Sequence, residues 1–121
     1  VPPNADVRFL GHVPADVLSA LYVTASVFAY PSLHEGFGLP VLEAMAHGTP
    51  VVTSRGTATQ EVAGGAAVLI DPAEVESIAA GLHTALDNAP ELVRLGTKRA
   101  AACSWETTAN ATVECYREVL T

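Results

Sequence analysis

Two glutamates, Glu35 and Glu43, stand eight positions apart, and between them runs Gly36-Phe37-Gly38-Leu39-Pro40. Each residue type suits a particular chemistry. Glycine leaves no side chain between the main chain and a ligand and turns through conformations other residues avoid, which suits Gly36 and Gly38 to a tight loop. The stretch "LPVLEAMAHG" over 39–48 reads as a helix with Pro40 at its first position and Gly48 as its stop. A helix start offers free N–H groups and partial positive charge, and phosphate is the natural guest. Carboxylates would repel a phosphate, but they accept hydrogen bonds from hydroxyl groups. A ligand with both phosphates and several hydroxyls reconciles the two, and a nucleotide sugar is such a ligand. Spacing alone leaves a plainer alternative open. Glu43 would then be a solvated residue sharing a polar face with His47, while Val41, Leu42, Ala44, Met45 and Ala46 take the buried side.

The surrounding sequence alternates strand and helix patterns. "VRFLG" (7–11) reads as a short buried strand, and "PADVLSALYVTA" (14–25) carries Val17, Leu18, Leu21 and Tyr22 at helical spacing. "SVFAYP" (26–31) is β-like and ends at Pro31; "PVVTS" (50–54) and "AAVLIDP" (66–72) are further strands, with "TQEVA" (59–63) a short helix between them. The rest is helical. "EVESIAAGLHTALDN" (74–88) places Val75, Ile78, Ala79, Leu82 and Leu86 on one stripe, and helices over 90–103 and 104–120 follow, with Ser104 as cap and Glu106 near the capping-box position. Such an alternation with short connections predicts an α/β doubly wound parallel sheet, whose ligands sit beyond the carboxyl ends of the strands. The loop 31–38 leaves one such end.

Bulk composition sets limits. The 121 residues fit one domain, and 50% hydrophobic with 16% charged residues marks a globular sequence. A net charge of −7 argues against nucleic-acid binding, which needs a basic face. No apolar run approaches the ~20 residues of a membrane-spanning helix. Cys103 and Cys115 are too few for a disulfide scaffold and read as reduced, packing cysteines of a cytoplasmic protein. His12, His34, His47 and His83 show no metal-ligand spacing with one another or with the cysteines. Trp105 is expected to pack against the domain, Glu61 to favour a helix start, and Arg94, Lys98 and Arg99 to form a small solvated basic patch.

The stretch "PSLHEGFGLPVLEAMAHGTPVV" (31–52) strongly resembles the E-x7-E signature of the retaining glycosyltransferases of family 4, which adopt the GT-B fold. "VRFLGHVPADVLSALYVTASVFAYPS" upstream, and "EVAGGAAVLIDP" with the late "SWE" downstream, look like the same family's flanking pattern in the same order. The resemblance implies that residues 1–121 form the Rossmann-like nucleotide-sugar-binding domain at the C-terminal side of a GT-B enzyme, truncated at its N-terminal side and ending in helices. Glu35 would be the catalytic position, lying by the donor sugar and bonding a hydroxyl. Main-chain N–H groups of Gly36, Phe37, Gly38 and Leu39 would hold sugar hydroxyls and the diphosphate, Glu43 the ribose hydroxyls. His34 would adjoin the sugar, and Gly11, His12 and Val13 would border the nucleobase. The implied reaction is hexosyl transfer with retention of configuration to a glycan, lipid or small-molecule acceptor. It needs no cofactor and no bound metal, because helix amides and basic side chains stabilise the leaving group.

The sequence also departs from that family. Its usual diphosphate-binding Arg and Lys belong to a segment ahead of Val1, and among the basic residues here only Arg55 stands near the expected ligand. The opening "VPPNADVRFLG" reads as the interior of a longer protein, so the acceptor domain is expected elsewhere and residues 1–121 alone are expected to be inactive. An unpartnered strand 7–11 would invite pairing with a second fragment. The other readings are a nucleotide-sugar-binding module without catalysis and a GT-B-type nucleotide-sugar epimerase. Location is expected to be cytoplasmic, with peripheral membrane contact for the full-length protein.

Overall fold

The computed structural model describes residues 3–121. Three strands, β1 (Phe28–Tyr30), β2 (Val51–Ser54) and β3 (Val68–Ile70), form a parallel sheet in the order β1-β2-β3. The register pairs Ala29 with Val52 and Thr53 with Leu69. Six helices accompany them: α1 (Ala15–Thr24), α2 (Leu39–Ala46), α3 (Ala58–Ala63), α4 (Val75–Asp87), α5 (Ala89–Ala102) and α6 (Trp105–Leu120).

β2 shows why the sheet is doubly wound. All four of its residues are buried, because successive side chains enter opposite faces and both faces are covered. Val51 joins Tyr22 of α1, Val41, Ala44 and Met45 of α2, and Val62 of α3 in one cluster. Val52 joins Ile70, Ala85 and Leu92 in the other, with Ile78 and Leu82 of α4 packed around them. α5 contributes to both clusters through Leu92 and Leu95. The parallel order brings the carboxyl ends of β1, β2 and β3 to one edge, where the loop 31–38 begins.

Several expectations need correction. Residues 7–11 form no strand, and Phe9 is 91% exposed. A strand needs a neighbour to take its amides. Among the described residues none pairs with this segment, and the Val7 N–H donates locally to Ala5 O at 3.1 Å. In α4 the buried line is Gly81 and Ala85, with Val75 and Leu86 exposed. The helix lies so close to β3 that a Cβ on Gly81 would collide with Ile70 Cγ2, so small residues make the contact. Ala46 of α2 is exposed, and so is Cys115 of α6; Cys103 is half-buried. Trp105 is 80% exposed, and α6 buries no residue. That helix is fixed at its start by Ser104, whose Oγ accepts from the Thr107 N–H at 3.1 Å and meets Thr107 Oγ1 at 2.8 Å. The N3 position is therefore held by Thr107, while Glu106 lies one residue earlier. Among the described residues no helix is long and apolar enough to cross a membrane.

Candidate functional site

The site grows from the exits of β1 and β2. Thr53 Oγ1 donates to Tyr30 O at 3.0 Å, and Ser54 Oγ donates to Ser32 O at 2.6 Å, so the end of β2 ties down the first turn of the loop. That turn aims Ser32 Oγ at Glu35 Oε1 (3.0 Å), with His34 O also within reach at 3.0 Å. Tyr30 OH donates to the same carboxylate oxygen at 2.6 Å. The Tyr30 bond, followed by that of Ser32, holds the Glu35 carboxyl below the usual carboxylate range, and the neighbouring His34 charge acts in the same direction. The same bond, followed by burial, raises the Tyr30 phenol.

Gly38 sets the second turn. Its backbone is left-handed (φ 97°, ψ 47°), a region that disfavours any side chain. A Cβ there would also meet Thr59 Cγ2 at 2.6 Å. Thr59 is fully buried, with its Oγ1 bonded to Thr57 Oγ1 at 2.6 Å and reaching Ser54 O at 3.4 Å. Gly36 differs from expectation, since its φ is not positive; what it supplies is room, because a Cβ would meet nothing within 4 Å. The Val41 N–H bonds Gly38 O at 3.1 Å, while among the described residues the N–H groups of Gly36, Phe37, Gly38 and Leu39 donate to no acceptor. Four amides at the start of α2 are thus left for another acceptor.

Glu43 lies one turn into α2 with an exposed carboxylate, and its Oε2 accepts from Tyr22 OH at 3.1 Å. His47 shares a face with it as expected: its ring lies 5.4 Å from that of Tyr22, and its Nδ1 meets the Glu43 main-chain carbonyl at 2.7 Å. Tyr22 is only 5% exposed. Its ring meets Phe28 edge-on at 5.2 Å, and Phe28 stacks with Tyr30 at 5.8 Å. Burial first, and then Glu43, push the Tyr22 phenol up to about 12.

That shift gives a first expected result. The folded-state value lies above the ordinary 10.0, so the stability from the neutral phenol is complete below pH 10 and is lost as pH rises toward about 12. Tyrosinate absorbance should therefore show a late phase that Tyr22→Phe reduces, the raised Tyr30 phenol supplying what remains, and the urea midpoint should fall across that window more steeply in wild type than in the variant. Absorbance complete near pH 10, with no late phase, contradicts the assignment.

The other residues singled out from the sequence lie as follows. A groove of about 1010 Å³ runs beside the start of α2, with Phe37, Leu39 and Glu43 at one wall and Trp105 and Thr108 of α6 at the other. Gly36 also lines it; Glu35, His34 and the buried Gly38 do not. Gly11 (φ 63°) and His12 are exposed and Val13 is half-buried just ahead of α1; none lines the groove. Arg55 donates its main-chain N–H to Ile70 O at 2.8 Å, and its exposed guanidinium reaches Leu69 O at 3.5 Å. The expected basic patch is dispersed. Arg94 pairs with Glu91 at 2.6 Å, while Arg99 donates to Val62 O at 2.8 Å and Glu61 O at 3.2 Å, closing the end of α3. Sequence reasoning missed Tyr30, Ser32 and Ser54 as holders of the loop and Tyr22 as the partner of Glu43. A signal existed only for Tyr30 and Ser32, hydroxyl residues two apart where β1 runs into the loop.

Comparison with known proteins adds to this geometry. The profile of the family described as glycosyl transferases group 1 matches residues 2–88. The O-antigen chain mannosyltransferase B of Escherichia coli is 42% identical over 114 residues, covering 92% of this chain and 30% of that protein. The MMP alpha-(1->4)-mannosyltransferase of Mycolicibacterium hassiacum is 44% identical over 110 residues, covering 85% of this chain and 27% of that protein. Among solved structures, sucrose-phosphate synthase from Thermosynechococcus elongatus superposes with a TM-score of 0.79 at 29% identity, over 93% of this chain and 30% of that one. The chain thus spans less than a third of the length of these relatives.

Proposed function

Because this chain belongs to the glycosyl transferases group 1 family, we propose that it is the donor-binding part of a retaining hexosyltransferase that uses a nucleotide-diphosphate sugar. The observation that carries this reading is the start of α2, where four unpartnered amides stand between two carboxylates. In this reading the amides of Gly36, Phe37, Gly38 and Leu39 receive the diphosphate and sugar hydroxyls. Glu43 takes the ribose hydroxyls, Glu35 faces the hexose with His34 beside it, and the turn at Gly11, His12 and Val13 borders the base. The leaving diphosphate is stabilised by oriented amides in a preformed turn, and no metal or further cofactor is assigned to that step. The acceptor, whether glycan, lipid or small molecule, is met by parts of the enzyme outside these residues. Two relatives are named as mannosyltransferases, which makes nucleotide-activated mannose the first donor to test.

The test is a thermal-shift panel of nucleotide sugars on the full-length enzyme, followed by NMR of the product to read its anomeric configuration. One nucleotide sugar should raise Tm, and Glu43→Ala should weaken its binding by about 1–3 kcal/mol, the cost of losing hydrogen bonds to a charged group. A full-length enzyme indifferent to every nucleotide sugar overturns the reading, and unchanged affinity in the variant removes Glu43 from the site.

A further inference from the structure

We propose that Tyr22 and Tyr30 are positioning residues, each donating its phenolic proton to one oxygen of a motif glutamate so that the other oxygen is presented to the donor. The inference rests on the donor-site reading above and adds what holds its two acids in place.

The geometry is the same at both acids. Glu43 receives Tyr22 on Oε2 (3.1 Å), and Glu35 receives both Tyr30 (2.6 Å) and Ser32 (3.0 Å) on Oε1. Among the described residues, Glu43 Oε1 and Glu35 Oε2 accept from no side chain. A free carboxylate on a helix or loop samples several rotamers, and ordering it on ligand binding costs affinity. A phenol that already fixes one oxygen removes that cost and leaves two lone pairs on the other oxygen for a hydroxyl donor.

The two braces are not independent. Tyr22 comes from α1 and Tyr30 from β1, and Phe28 lies between their rings, edge-on to the first at 5.2 Å and stacked with the second at 5.8 Å. One packed aromatic row therefore sets the placement of both acids. Tyr22 is further fixed by Thr49, whose Oγ1 donates to the Tyr22 carbonyl, and by His47, whose ring lies 5.4 Å away. A buried phenol takes an acceptor in any case, but here, among the described residues, both tips meet the motif acids and no other group, 21 and 5 positions along the chain.

The test uses the full-length enzyme with Tyr22→Phe, Tyr30→Phe and Glu43→Gln, assayed with the nucleotide sugar and with its 2′-deoxyribose counterpart. Phenylalanine keeps the ring and removes only the hydroxyl. Tyr22→Phe is expected to raise donor KM about 3- to 10-fold with kcat little changed, the scale of one hydrogen bond. It should also reduce the preference for ribose over deoxyribose, and in a Glu43→Gln background it should add nothing further to that loss. Tyr30→Phe is expected to lower kcat by a similar factor with donor KM little changed. If Glu43→Gln itself keeps the ribose preference, the donor-site reading fails. If Glu43→Gln loses the preference while Tyr22→Phe keeps it, that reading stands and the positioning role is overturned. A Tyr22→Phe enzyme with lower Tm and equal losses on both donors likewise shows a tyrosine that only packs. Tyr30→Phe, read separately through the split between kcat and KM, decides the second brace even if Tyr22→Phe does not fold.

Discussion

Full-length enzyme carrying Glu35→Gln is expected to turn over about 10²- to 10³-fold more slowly while donor KM stays close to wild type, as when one preorganised electrostatic group is lost from a transition state. Glutamine retains an acceptor oxygen for Tyr30 and Ser32, so the loop keeps the bonds that shape it. What it loses is the negative charge. In the proposed reaction positive charge grows on the hexose as the diphosphate departs, and a fixed carboxylate lowers the energy of that state more than of the bound donor. The pH profile carries the same signature. Tyr30, then Ser32, with His34 beside them, hold the Glu35 carboxyl below the usual range, so the active ionised form persists through mild acid. Activity should be lost as pH falls through that lowered value, and Tyr30→Phe should move the acid limb to higher pH. Steady-state kcat and donor KM across pH measure both effects. Wild-type kcat in Glu35→Gln would show that the charge does no catalytic work.

What sequence could and could not show follows from the range of each interaction. The start of α2 was legible because its signals are local: glycine before proline, an amphipathic run, and glycine after it. The sheet was legible because its strands are short apolar runs separated by helical periods, and the two clusters on its faces match that pattern. The failures concern contacts between distant positions. "VRFLG" has a strand's pattern, but pairing belongs to the neighbour, and none of the described residues supplies one. Arg99 looked like one of three solvated charges, yet its guanidinium crosses 37 positions to the Val62 carbonyl. Tyr22 read as one more apolar position of α1, because nothing in its own segment announces an acid 21 residues later. Of the candidate site, the loop and helix start between the two glutamates were legible, and the hydroxyl groups that bond those glutamates were not.

Gly38→Ala is expected to damage both the fold and the donor site, and its cause can be divided. One part is conformational: holding a Cβ at φ 97° costs about 1–2 kcal/mol. The other is steric, since the new methyl would lie 2.6 Å from Thr59 Cγ2, and overpacking a buried contact costs about 1–3 kcal/mol. Thr59 cannot swing aside freely, because it is β-branched, fully buried, and bonded through Oγ1 to Thr57. The loop must yield instead, and the amides of Gly36 to Leu39 move with it. Donor affinity should fall along with urea-denaturation stability. Thr59→Ser removes Cγ2 and keeps the hydroxyl, so by itself it costs about 1 kcal/mol for the lost buried methyl. In the double variant the steric part should vanish and the conformational part remain, so its loss should fall short of the sum of the two single losses by about 1–3 kcal/mol, the steric part, a coupling expected of residues in contact. Donor affinity should recover partly alongside stability. Strict additivity would place the damage in the backbone turn alone, and recovered stability without recovered affinity would mean that the orientation of these amides depends on φ at residue 38 and not on the Thr59 contact.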